Sequence, residues 1–79
     1  MAGNLNKQQN PDDQKFWYNK GVALDALGRH EDALQAYNKA IELDPKDKKA
    51  WINKGAVLSE LLRNEDALQA FNKAIDLDP

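Results

Sequence analysis

The sequence predicts an all-α fold of tandem antiparallel helix–turn–helix units, a four-helix fragment of an α-α superhelix or solenoid. Three observations predict it. Shifted by 34 residues against itself, the chain places Trp17 on Trp51 and Pro45 on Pro79, and 20 of the 29 positions in that span are identical. Within each copy, apolar residues recur at steps of three and four, the period of one helix face. Acidic residues that can cap helices, and prolines that cannot continue them, fall at the same places in both copies. The expected organisation is a polar N-terminal tail or linker over 1–13, one repeat over 14–47 and a second over 48–79.

The first helix is expected over Gln14 to Leu27, where Trp17, Gly21, Leu24 and Leu27 share a face. Asp13 precedes it as a cap whose side-chain oxygen can accept from unpaired backbone N–H groups. The second helix, Glu31 to Leu43, carries a stripe of Ala33, Leu34, Tyr37, Ala40 and Ile41, with Asp32, Gln35, Lys39 and Glu42 on the wet side. Glu31 and Asp32 place negative charge in its first turn, and Pro45 closes the unit. Lys48 to Leu61 repeats the first helix behind the cap Asp47, and Glu65 to Leu77 repeats the second behind Glu65 and Asp66. Gly21 and Gly55 sit inside helices, where glycine costs about 1 kcal/mol relative to alanine, so each implies a close helix crossing. Ala33, Ala40, Ala67 and Ala74 keep the facing stripe small, while Trp17, Leu24, Tyr37 and their copies are expected on the flanks as core.

Composition excludes several classes of function. A 79-residue chain is one small domain that buries only about 60% of its unfolded surface. With no cysteine there is no disulfide or thiolate chemistry, which fits a cytoplasmic protein. Thirteen acids and eleven bases are interspersed, so no field draws in nucleic acid or an anionic membrane. The local run Lys46, Lys48 and Lys49 is broken by Asp47. No stretch approaches a membrane span, and Met1 to Gln9 lacks a signal-peptide core. The only histidine, His30, is read as a turn residue with no serine or cysteine beside it, and Asp12 and Asp13 as capping acids. Neither an enzyme nor a cofactor or metal is expected. The segment Asn10-Pro11-Asp12-Asp13 resembles the junction Asp44-Pro45-Lys46-Asp47.

The pattern W-x-N-K-G-x-x-L-x-x-L-G-R followed by E-D-A-L-x-A-Y-N-K-A-I-E-L-D-P resembles the tetratricopeptide repeat. Trp17, Gly21, Leu24, Ala33, Tyr37, Ala40 and Pro45 fall on its signature positions, as do Trp51, Gly55, Leu58, Ala67, Phe71, Ala74 and Pro79. The resemblance covers Gln14 to Pro79 and implies stacked helix pairs whose first helices form a concave face that holds a peptide or protein. Three departures stand out. Lys20 and Lys54 replace a leucine and are expected to lay their stems along the groove, making the concave side more basic. Leu62 replaces the turn glycine found at Gly28, where a left-handed backbone costs a non-glycine residue roughly 1–2 kcal/mol. The last repeat has no further helix to cover it, although such arrays need about three units and a cap.

On the concave face the resemblance implies, the candidate peptide-binding residues are Lys15, Tyr18, Asn19 and Val22 with Lys49, Ile52, Asn53 and Ala56. Lysine offers charge to a carboxylate and asparagine can donate to and accept from a peptide backbone. Asp25 and Glu60 leave the other end of the face acidic, with Ala26 and Ser59 beside them. A carboxylate clamp of the kind some family members use for chaperone termini is not expected. Only Asn53 corresponds to it, and Tyr18 and Val22 stand where it needs lysine and asparagine. The alternative to peptide binding is self-association as a homodimer, through Leu62, Leu68, Phe71 and Ile75. It would proceed by end-to-end stacking or, if Ser59 to Leu68 straightens into one helix, by exchange of the last helix.

Overall fold

A computed structural model describes residues 13–78 as four helices: α1 (Gln14–Ala26), α2 (His30–Leu43), α3 (Lys48–Glu60) and α4 (Asn64–Leu77). The tail, and with it the junction-like Asn10 to Asp12, lies outside the described residues. The caps fall where the sequence puts them: Asp13 accepts from the Lys15 backbone N–H at 3.0 Å and Asp47 from that of Lys49 at 3.1 Å. Each hairpin then turns within three residues, so α1 packs antiparallel on α2 and α3 on α4. The hairpins stack through α2 against α3, with a narrower contact of α1 with α3.

Both tight turns have the same hydrogen bonds. Arg29 N–H donates to Leu24 O and Gly28 N–H to Asp25 O, both at 2.9 Å. Arg63 N–H donates to Leu58 O at 2.8 Å and Leu62 N–H to Ser59 O at 3.0 Å. This is the Schellman closure, which needs a left-handed residue at its centre. Gly28 supplies it at φ 79°, and Leu62 adopts it at φ 63°. Within one chain Ser59 to Leu68 is thus not a single straight helix: two carbonyl bonds close the turn despite the backbone strain of Leu62.

The glycines mark the crossing, with a different partner from the one expected. A Cβ on Gly21 would lie 2.6 Å from Tyr37 Cε1, and one on Gly55 2.7 Å from Phe71 Cε1. The aromatic rings lie on the glycines rather than on the flanks. Ala33, Ala40, Ala67 and Ala74 are buried as the stripe requires, joined by Ala36, Ala50 and Ala70. The central cluster gathers Leu34, Tyr37, Val57 and Leu58 between the hairpins. Leu27 does not share the α1 face: it is the cap residue after the helix and is 73% exposed. Among the described residues, no helix is long and apolar enough to cross a membrane.

Candidate functional site

α1 and α3 run side by side in the same direction, joined at three levels. At their starts, Gln14 Nε2 donates to Asp47 Oδ2 at 2.5 Å. Midway, Asn53 Nδ2 donates to Tyr18 Oη at 3.1 Å and to Tyr37 Oη at 3.4 Å. At their ends, His30 Nδ1 lies 2.7 Å from Asp25 Oδ1 and 3.5 Å from Glu60 Oε1. The face so built has Lys15 and Lys49 at one end, with the Lys49 ammonium 6.0 Å from the Tyr18 ring centre, and carboxylates at the other.

The electrostatics follow that layout. Burial raises the Tyr37 phenol above its ordinary range; the bond from Asn53 opposes this, and the nearby charges of Asp25 and Glu60 push it further up. Tyr37 is thus a neutral hydroxyl at physiological pH. Because Asn53 uses its N–H groups on the two tyrosines, its Oδ1 and the Tyr18 O–H remain to meet a ligand.

The structure brings Tyr18, Lys49 and Asn53 into one cluster. Val22, Ile52 and Ala56 are exposed on α1 and α3, as are Lys15 and Asn19. Asn53 reaches the hairpin before it, meeting Tyr18 and Tyr37. Lys54 departs from expectation. It lines a cavity of about 470 Å³ with Leu34 and Asn38 of α2 and Asp66 and Lys73 of α4, on the side of the second helices, so it does not make the α1–α3 face basic. There its ammonium sits 5.2 Å from the Trp51 ring centre, and burial lowers its pKa. Lys20 likewise lies over Trp17, at 4.9 Å.

Among the self-association candidates, Leu62, Leu68 and Ile75 are 83%, 60% and 58% exposed. Phe71 differs, because its ring is half-buried against Gly55 inside the hairpin. His30 is not a turn residue: it opens α2 and reaches back to α1 and across to α3. The signal that locates the seam lies in the nine positions at which the copies differ. Tyr18, Tyr37, Asp25, His30 and Glu60, which meet there, stand opposite Ile52, Phe71, Ser59, Asn64 and Ala26.

Two stacked helix hairpins with this seam define a helical-repeat interaction module, a class whose business is to hold other proteins. Tetratricopeptide-repeat profiles match residues 15–47 and 36–69, and the chain belongs to the tetratricopeptide repeat family. Among solved structures it is similar to a point mutant of MamA, with 34% identity and a TM-score of 0.85 over 89% of this chain and 51% of that one. It also resembles MamA AMB-1 C2221 (34% identity, TM-score 0.84, 90% and 42% covered) and MamA MSR-1 C2 (32%, 0.84, 90% and 41%). The chain thus spans about half or less of the length of these structures. No curated protein matches it significantly.

Proposed function

We propose that this repeat module holds an extended peptide segment of a partner protein along the α1–α3 face. One observation carries the reading: the Tyr18–Asn53–Tyr37 hydrogen bonds form a polar centre between a lysine end and a carboxylate end. A peptide backbone would accept from Tyr18 and donate to Asn53 Oδ1. Its acidic residues would lie toward Lys15 and Lys49 and its basic residues toward Asp25 and Glu60. Val22, Ile52 and Ala56 supply apolar contact between them. Screening labelled peptides by fluorescence anisotropy tests this. Ligands should carry separated acidic and basic ends, and both Asn53→Ala and Lys49→Glu should weaken them; binding indifferent to both changes overturns the reading.

A second reading, stacking of copies through α4, has its own support. Leu34 on α2 is 8% exposed beneath α3, whereas its counterpart Leu68 on α4 is 60% exposed. A second chain's hairpin packed there would cover Leu68 and Ile75 as α3 covers Leu34. Sedimentation velocity over a wide concentration range decides it. Association should vanish in Leu68→Lys/Ile75→Lys, and a wild-type chain that stays monomeric throughout excludes it.

A further inference from the structure

We propose that Asp25, His30 and Glu60 form a binding site for a divalent transition-metal ion, Zn2+ foremost, which joins the two hairpins at the acidic end of the α1–α3 face. One donor atom from each residue lies within 4.8 Å of the others. An imidazole with two carboxylates is a donor set that Zn2+ accepts, at bond lengths of about 2.0–2.2 Å. Ligand atoms on a common ion stand about 3–4 Å apart. The ion would therefore take the place of the proton between His30 Nδ1 and Asp25 Oδ1, now 2.7 Å apart, as the Asp25 carboxylate draws back and that of Glu60, an exposed side chain 3.5 Å from His30, rotates in. A fourth position stays open to water or to a donor from a bound protein.

The location favours a cation. Asp25 is the penultimate residue of α1 and Glu60 the last of α3, so both carboxylates sit where helix carbonyls already carry partial negative charge. Neither helix places a basic residue in its last turn to offset this. The upward push of these two carboxylates on the Tyr37 phenol reports the same negative field. Internal comparison adds a second argument. All three donors stand at positions where the repeats differ, opposite Ser59, Asn64 and Ala26, in copies otherwise identical at 20 of 29 positions. The donor set therefore exists once, across the seam, and is not duplicated along with the repeat.

The test is titration of the full chain with Zn2+ alone, at neutral pH, followed by NMR and calorimetry. The His30 ring and the Asp25 and Glu60 amides should shift together, and the unfolding temperature should rise as the ion saturates the folded state. Glu60→Ala should weaken binding by about tenfold or more, and His30→Asn, which installs the residue of the second repeat, should remove it. The backbone spectra of both variants verify that the hairpins remain folded, and Glu60→Ala decides the matter if His30→Asn does not fold. An unshifted His30 in excess Zn2+, or variants that bind like the parent, overturns the proposal. Because the probe is the metal alone, this result is independent of whether the face takes a peptide.

Discussion

Replacing Leu62 by glycine is expected to stabilise the chain. Leu62 holds φ 63° at the centre of the second turn, where a side chain costs roughly 1–2 kcal/mol. Glycine returns about 0.5–1 kcal/mol of this through the greater freedom it gives the unfolded chain. The side chain is 83% exposed, so its removal uncovers little apolar area. The net gain is about 0.5–1 kcal/mol, which for a domain of this size raises Tm by about 2–8 °C. Thermal and urea unfolding followed by circular dichroism measure it, with an unchanged denaturant slope showing that only stability has moved. The mirror experiment is Gly28→Ala. Nothing lies within 4 Å of the added Cβ, so its expected loss of about 1 kcal/mol is backbone strain alone. If Leu62→Gly were neutral or destabilising while Gly28→Ala behaved as expected, the strain argument at Leu62 would be refuted.

Two further outcomes follow from the packing. Gly21→Ala places a Cβ 2.6 Å from the Tyr37 ring, and overpacking of about 1–3 kcal/mol should outweigh the roughly 1 kcal/mol of improved helix propensity, lowering the urea midpoint. Tyr37 also sets a pH dependence. Its folded pKa lies above the ordinary phenol value of 10.0, so as pH rises past 10 the unfolded chain releases this proton first and stability falls. Tyr37→Phe should flatten that alkaline decline in urea-unfolding curves. A decline identical in both proteins would place its cause elsewhere.

Much of the fold was legible because its causes are local. Asp13 and Asp47 cap by reaching two residues along the chain, and Gly21 and Gly55 disclose a crossing through their position inside amphipathic helices. The site was harder to see because its contacts are separated by about one repeat. Tyr18 meets Asn53, and Asp25 faces Glu60 through His30, only because α1 and α3 lie in parallel. The direction of Lys54 was missed for a related reason. Its pocket is completed by α2 and α4, and periodicity within α3 does not fix which neighbour a flank residue meets. The turn at Leu62 shows the opposite case: local propensity argued against it, and hydrogen bonds to Leu58 and Ser59 prevailed.

Peptide holding on the α1–α3 face is tested most directly by chemical-shift mapping of a bound peptide from the anisotropy screen. The largest changes are expected at Tyr18, Lys49 and Asn53, with Lys15, Val22, Ile52 and Ala56 following, and binding should be lost in Asn53→Ala. Changes confined to α2 and α4, with the Asn53 side-chain amide unmoved, would contradict it.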